Sequence, residues 1–382
     1  MKAMPDRTRV IWWSDTYWPA IGGIEVLASH LVPALADRGF HIIVATSHDA
    51  ESSLPDSEAH DGIQIHRFRF HETLRTRRKD LWVEVLDRVG QMKSEFRPDI
   101  VHLNFPSPSG IFHLLSEKVW KAPTIAAIHT AFPATAQSAD TLTHRMLAAS
   151  EFVTANSRAI LRQAMTIAPE IEDRSSVIYN GVPRLPVEPS RLPFDPPVIA
   201  CIARLVEKKG VDVALRALAI VKERIPEVRM IVAGDGPERQ KLQNLVHDLC
   251  IDESVTFMGW VQPANIWKVI DSATLLVVPS RTTEPFGIVA VEAMQMSRPV
   301  VCTDQGGLPE VVKDGETGLV VPADNAVALA HAMIHVLQNR TVAHQLGQAG
   351  RVRAENCFTI GKCVDAHELL YREISRNGAR LQ

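Results

Sequence analysis

Residues 183–197 read PRLPVEPSRLPFDPP, and this proline density sets how the whole chain is organised. Proline fixes φ and has no N–H to donate, so the stretch suits neither a helix interior nor a central strand and reads as an extended, fairly stiff connector. The chain is 382 residues long. A single hydrophobic core rarely serves more than about 250 to 300 residues, so two domains are expected. The boundaries that follow are an N-terminal domain at 1–182, the connector at 183–197, a C-terminal domain at 198–364 and a closing helix at 365–382.

Both halves repeat one pattern. Short runs rich in Val, Ile and Ala alternate with longer stretches of helical period, which is the signature of βα units around a mostly parallel sheet buried on both faces. The runs fall at residues 10–13, 41–46, 63–68, 100–103, 125–129 and 152–155, and again at 198–203, 228–233, 255–257, 274–279, 300–302 and 319–321. Two doubly wound α/β domains are predicted, each binding ligands where loops leave the carboxyl ends of its strands. Facing each other, they would form one central cleft.

Composition removes several function classes. A hydrophobic fraction of 46%, a charged fraction of 22% and a net charge of −3 describe an ordinary globular chain without the cationic excess that nucleic-acid phosphates demand. No apolar run reaches the about 18 residues of a membrane span, and the polar N-terminus has no signal-peptide core, so a cytoplasmic location is expected. Cys201, Cys250, Cys302, Cys357 and Cys363 are scattered without a C-x-x-C pair, and they read as reduced core residues rather than metal ligands.

Polar residues at the strand ends are the candidates for chemistry. Arg204 ends the run 198–203 and Lys209 follows five residues later; a planar fork and a point charge together match a diphosphate, although two solvated surface cations would give the same pattern. After the run 274–279, Glu284 and Glu292 are separated by seven residues, and Pro285, Phe286 and Gly287 read as a helix start whose free N–H groups favour an anion. Two carboxylates there suit sugar and ribose hydroxyls. Gly22 and Gly23 permit close backbone approach of a ligand or simply form a tight turn. His129 and His102 end strands; the position of His129 favours a functional reading, and His102 stays open between structure and function. Trp12, Trp13, Tyr17 and Trp18 line an acceptor side or fill core. Residues 67–79, RFRFHETLRTRRK, mix Arg67, Arg69, Arg75, Arg77, Arg78 and Lys79 with Phe68, Phe70 and Leu74. Such a segment suits either a solvated loop or a peripheral contact with the anionic inner face of a membrane.

Taken in order, IARLVEKKG, GDGPE at 234–238, VTFMGWV around Gly259, the E-x7-E pair, GGLPEVV from Gly306 and DGETGLVVP from Asp314 resemble the retaining glycosyltransferases of family 4, which have the GT-B fold. In the first half GGIE at 22–25, VHLN at 101–104, IHTAFP at 128–133, ANS at 155–157 and YNGV at 179–182 extend the resemblance over essentially the whole chain. It implies transfer of a hexosyl group from a UDP- or GDP-sugar to a glycan, lipid or small-molecule acceptor, with retention and with no metal or other cofactor. It implies that Arg204 and Lys209 bind the diphosphate, that Glu292 accepts from ribose, and that Glu284 lies near the transferred sugar. The amides of Phe286, Gly287 and Ile288 would contact sugar or phosphate oxygens, Gly259, Trp260 and Val261 would meet the base, Gly22 and Gly23 would approach phosphate or acceptor, and His129 would contact the donor sugar. Ala131 departs from the pattern, since relatives often carry an Asp there that accepts from a hydroxyl. No D-x-D motif and no agreed nucleophile accompany the resemblance, so a front-face displacement assisted by the leaving phosphate is expected. The competing readings are a nucleotide-sugar epimerase or hydrolase on the same fold, and a non-catalytic subunit of a transferase pair. A nicotinamide enzyme is disfavoured, because no G-x-G-x-x-G follows the first strand.

Overall fold

The computed structural model describes residues 7–20, 22–48, 53–105, 107–132 and 141–378, with side chains in the last helix to residue 376. The chain divides into two compact units, Met1–Gly181 with Ile360–Gln382, and Val182–Thr359. Pro133, at the end of the IHTAFP motif, lies outside the described residues.

The strands of the first unit are β1 (Arg9–Ser14), β2 (His41–Ser47), β3 (Ser57–His60), β4 (Ile63–Phe68), β5 (Ile100–Asn104), β6 (Thr124–Ile128), β7 (Phe152–Ala155) and β8 (Ser175–Val177). They form one sheet in the order β3-β4-β2-β1-β5-β6-β7-β8. Only the β3 and β4 pair is antiparallel. Successive side chains of a strand point to opposite faces, so a strand covered on both sides reads as continuously apolar. β1 shows this directly. Val10 and Trp12 enter a core shared with Leu27, Leu31 and Tyr371, while Ile11 and Trp13 enter a second core with Phe70 and Phe112. Both tryptophans therefore serve as core. The helices Gly23–Asp37 and Ile360–Gly378 supply the first of these cores, and the helix Lys79–Phe96 supplies part of the second.

The second unit contains β9 (Val198–Ile202), β10 (Arg229–Ala233), β11 (Val255–Gly259), β12 (Leu275–Val278), β13 (Val300–Thr303) and β14 (Gly318–Val321). All pairings are parallel and the order is β11-β10-β9-β12-β13-β14. Numbered within the unit this is the 3-2-1-4-5-6 order of a doubly wound sheet, which reverses direction between β9 and β12.

Each apolar run of the sequence became a strand. β3 and β8 were not expected, because SEAH and SSV are polar edge segments without an apolar run to betray them. The proline-rich stretch is part of the second unit rather than a free connector. Its backbone groups find partners there: the buried Arg298 donates to Ser190 O at 2.9 Å, and Gln295 Oε1 accepts from Leu185 N–H at 3.2 Å. The last helix begins at Ile360 rather than at 365 and belongs to the first unit, where Arg38 meets Asp365 and Glu368 at 3.0 and 2.6 Å. In the basic segment Arg67, Phe68 and Phe70 are buried, because β4 and the helix Phe70–Thr76 turn them inward. The apolar part that a peripheral membrane contact would use is thus occupied in the core. No helix of the described residues is long and apolar enough to cross a membrane.

Arg298 ties three segments of the second unit together. Besides Ser190 O it donates to Met296 O at 2.9 Å and pairs with Asp271 at 2.9 Å, and Asp271 Oδ1 also accepts from Ser190 N–H at 2.9 Å. Removing one member of such a buried set leaves the rest uncompensated, at a cost of about 3 to 5 kcal/mol. Urea unfolding of Arg298→Leu should show a loss of that order for the second unit, and a midpoint equal to wild type would contradict the assignment.

Candidate active site

The strand order reverses between β9 and β12, the place where open α/β sheets bind ligands, and candidate residues lie in the loops past the carboxyl ends of these strands. Arg204 and Lys209 follow β9, Glu284 follows β12, and Gly306 follows β13. Lys209 Nζ donates to Glu284 Oε2 at 2.6 Å, and Ser280 Oγ donates to the same oxygen at 2.7 Å. Both partners are largely shielded, with side-chain exposures of 27% and 12%, so water screens the pair less than it would a surface contact.

Glycines hold these loops close. Gly210 has φ +64°, and a Cβ there would collide with Pro279 O. Gly306, at φ +62°, would place a Cβ against the Glu284 backbone, to which Gly307 N–H donates at 2.7 Å. Only glycine accepts both the left-handed conformation and the contact. Arg204 sits in a loop held by the GDGPE segment: Leu205 N–H donates to Asp235 O at 2.9 Å and Glu238 N–H to Leu205 O at 3.1 Å. Its guanidinium is exposed and makes no hydrogen bond or ion pair among the described residues. Lys209 and Arg204 therefore differ. One cation is committed to a carboxylate, whereas the other is free.

The helix after Glu284 starts at Ile288, later than the sequence suggested, because Gly287 at φ +95° leaves the loop in a left-handed turn. Ala290 N–H donates to Gly287 O at 3.0 Å, so the Ile288 and Val289 amides stand ahead of the first intrahelical bond. Phe286 is buried against Phe358 and serves as an anchor for that turn. Glu292 lies in this helix with no side-chain partner among the described residues. The residue keeps part of its surface exposed, but protein atoms crowd its carboxylate, and burial pushes its pKa up to about 7. Gly259 ends β11 at φ +73°, followed by Trp260, 59% exposed, and the half-buried Val261.

In the first unit the matching reversal lies between β1 and β5. Asp15, just past β1, accepts from Ser107 Oγ at 2.6 Å, from Ser109 Oγ and from His71 Nε2 at 3.2 Å. Burial alone would raise the Asp15 carboxyl, but these hydrogen bonds outweigh it and hold the group below the usual carboxylate range. Sequence reading passed over Asp15, which had no motif to mark it beyond its place two residues after a predicted strand. Gly22 caps the helix Gly23–Asp37 in extended backbone, and a Cβ there would strike the Glu25 carboxylate, which accepts from Thr16. Gly23 is exposed.

His129 lies one residue beyond β6. Its Nδ1 meets Asn180 Oδ1 at 3.0 Å, its Nε2 has no partner, and burial lowers its pKa to about 4, so the ring is neutral. His102 is stacked on Trp12 at 4.1 Å and bonded through Nδ1 to the Tyr371 hydroxyl at 2.9 Å, a structural setting that fastens the last helix. Among the described residues no group of three or more His, Cys, Asp or Glu is placed to hold a metal ion.

Residues 187–353 match the family Glycosyl transferases group 1, and residues 21–184 match Glycosyltransferase Family 4. The chain is similar to an uncharacterized glycosyltransferase of Methanocaldococcus jannaschii, with 27% identity over 94% of this chain and 97% of the relative. It is also similar to a GDP-mannose-dependent alpha-(1-6)-phosphatidylinositol monomannoside mannosyltransferase of Mycolicibacterium smegmatis, with 35% identity over 41% of this chain and 43% of the relative. Among solved structures, sucrose-phosphate synthase from Thermosynechococcus elongatus superposes with a TM-score of 0.80 at 24% identity, covering 96% of this chain and 99% of that one. That likeness is one of fold, the GT-B class.

The raised pKa of Glu292 has a measurable consequence. An ordinary glutamate titrates near 4.3, so between that value and about 7 the folded chain keeps a proton that the unfolded chain releases, and stability falls as pH rises through this window. Glu292→Gln removes the effect. Its melting temperature should exceed that of wild type by a margin that is absent near pH 4.5, grows with pH and levels off above about pH 7. Parallel pH profiles would contradict the assignment.

Proposed function

The chain belongs to glycosyltransferase family 4, and on that premise we propose that it transfers a hexosyl group from a UDP- or GDP-sugar to a hydroxyl of a glycan, lipid or small-molecule acceptor, with retention and without a metal ion. The observation that carries this reading is the Lys209 and Glu284 pair at 2.6 Å, beside the unpaired Arg204 and the open helix start at Ile288. A donor diphosphate at these strand ends would meet two cations and free amides, which supply the positive field that a metal supplies elsewhere. The GDP-mannose dependence in the name of the Mycolicibacterium relative supports a GDP-sugar as a donor to test. The named relatives are transferases, which favours transfer over the epimerase, hydrolase and non-catalytic readings.

In this reading the bond from the sugar anomeric carbon to the diphosphate breaks as an acceptor hydroxyl adds on the same face, and the leaving phosphate oxygen takes the hydroxyl proton. Arg204 and Lys209 stabilise the charge that develops on the leaving nucleotide. Glu284 holds Lys209 before the donor arrives and accepts from a sugar hydroxyl afterwards. The Phe286, Gly287 and Ile288 amides contact sugar or phosphate oxygens, and Gly259, Trp260 and Val261 flank the base. Gly22 and Gly23 open the first-unit loop to phosphate or acceptor, and His129 offers its free Nε2 to a sugar hydroxyl. Glu292 accepts from ribose, and does so more strongly when ionised. A contact with a membrane surface would rest on the exposed Arg75, Arg77, Arg78 and Lys79 alone.

Turnover with the correct donor should fall about 10² to 10³ fold in Arg204→Ala and in Lys209→Ala, mostly in kcat, as removal of a transition-state donor does elsewhere. EDTA should leave wild-type turnover unchanged. Donor affinity should strengthen as pH rises through about 7, where Glu292 ionises. Folded alanine variants with wild-type kcat would overturn the site, and activity lost to EDTA and restored by Mg²⁺ would overturn the metal-free reading.

A further inference from the structure

We propose that Arg281 is the positioning residue of Lys209: it grips the backbone of the turn that carries Lys209, so that the ammonium can pass from Glu284 to a donor diphosphate while the turn stays in place. The proposal rests on the donor-site reading above and adds to it a residue that acts without touching the donor.

The turn depends on such a grip. Lys209 closes the three-residue 3₁₀ helix Glu207–Lys209, in which Lys209 N–H donates to Val206 O at 2.9 Å and Gly210 N–H to Glu207 O at 3.0 Å. Hydrogen bonds of this kind have poorer geometry than those of an α-helix, so a piece this short takes its position from what it packs against. Arg281, in the loop past β12, meets it twice. Its backbone N–H donates to Lys208 O at 2.9 Å, and its Nη1 donates to Glu207 O at 3.1 Å. Glu207 O thus accepts from Gly210 and from Arg281, one for each lone pair. Both carbonyls that precede Lys209 in the turn are held from the strand end.

The guanidinium is itself fixed. Its Nη2 pairs with Asp212 at 2.8 Å, in the first turn of the helix Val211–Arg224, and its Nε pairs with Asp324, beyond β14. Asp324 makes this contact from left-handed backbone, φ +55°, a conformation uncommon outside glycine. Three acceptors in three directions suit the planar fork of an arginine, whereas a lysine ammonium is a compact point charge on a flexible stem. Two carboxylates balance the charge of Arg281, which sets it apart from the unpaired Arg204. Its geometry supports a grip on the turn rather than a field on the diphosphate.

One loop therefore holds Lys209 at two points. Glu284, three residues after Arg281, takes the ammonium at 2.6 Å. Before a donor arrives either hold keeps Lys209 in place. Once the ammonium turns to a phosphate, the backbone grip is what still fixes the turn, so the loss of Arg281 appears in nucleotide binding and depends on Lys209.

Titration calorimetry with UDP and with GDP on wild type and Arg281→Lys, each with and without Lys209→Ala, reads that dependence. Hydrogen exchange at residues 207–210, followed by mass spectrometry without nucleotide, reads the grip itself. Arg281→Lys keeps the cation and loses the fork. With Lys209 present it should weaken binding of the nucleotide that wild type binds about three- to tenfold, as loss of one hydrogen bond of typical strength does, and speed exchange at 207–210 by a similar factor. In the Lys209→Ala chain it should weaken binding less than about twofold. Asp324→Gly suits the left-handed backbone and removes one anchor of the guanidinium; it should act in the same direction, and it decides the matter if Arg281→Lys does not fold. Folded variants with wild-type binding or wild-type exchange, or equal weakening with and without Lys209, would overturn the proposal. Faster exchange in Arg281→Lys alongside a wild type that binds neither nucleotide would instead sink the donor-site reading.

Discussion

The ion pair between Lys209 and Glu284 joins the loops that follow β9 and β12, the two strands between which the sheet of the second unit reverses. A cation and a carboxylate brought together with little water gain from each other and lose if separated, so neither loop can move away without stranding a charge. The close packing around them follows from that pair. Gly210 lets the Lys209 loop approach Pro279 O, Gly306 lets the β13 loop lie on the Glu284 backbone, and Ser280 donates to the carboxylate from below. Arg204, on the same loop as Lys209 but without a carboxylate, is the group left with unmatched charge.

The first unit repeats the same strand order in its six strands from β4 to β7, with β3 and β8 added at the edges, and has a different electrostatic solution. At its reversal Asp15 is satisfied by two serine hydroxyls and a histidine, and Arg67 is matched by Glu58. These charges are paired, and the buried atoms of the unit left without a hydrogen-bond partner include the Thr46 and Ser47 hydroxyls, the Asn104 and Asn156 amide oxygens and the Nε2 atoms of His102 and His129. One chain thus carries two doubly wound sheets, one with the unpaired Arg204 at its strand ends and one where Asp15 and Arg67 both have partners. Duplicated architecture did not dictate duplicated chemistry; the loop residues decided it.

Much of this was legible in the sequence, for physical reasons that differ from element to element. A strand buried on both faces must be continuously apolar, so β1, β9 and β12 announced themselves. β3 and β8 lie at sheet edges with polar residues and carry no such mark. Arg204, Lys209 and Glu284 stood out because charged residues at the ends of buried strands need a reason, and Glu292 stood out by its spacing from Glu284. That Lys209 would be held by Glu284 while Arg204 stayed free depends on loop geometry set by Gly210 and Gly306, which spacing alone does not give. Asp15 was silent because its partners, Ser107, Ser109 and His71, are distant in sequence. The segment from Arg67 to Lys79 misled for a related reason: its aromatic residues look exposed among so many cations, yet the period of β4 and the helix after it turns them into the core.

The central claim is that the strand ends of the second unit bind the diphosphate of a nucleotide sugar through Arg204 and Lys209. Titration calorimetry with UDP and with GDP tests it most directly, on wild type and on the two alanine variants. Wild type should bind one of the two nucleotides, and each variant should bind it about 10- to 150-fold more weakly, the equivalent of about 1.5 to 3 kcal/mol for one charge-assisted hydrogen bond. Folded variants that bind the nucleotide as tightly as wild type would contradict the account.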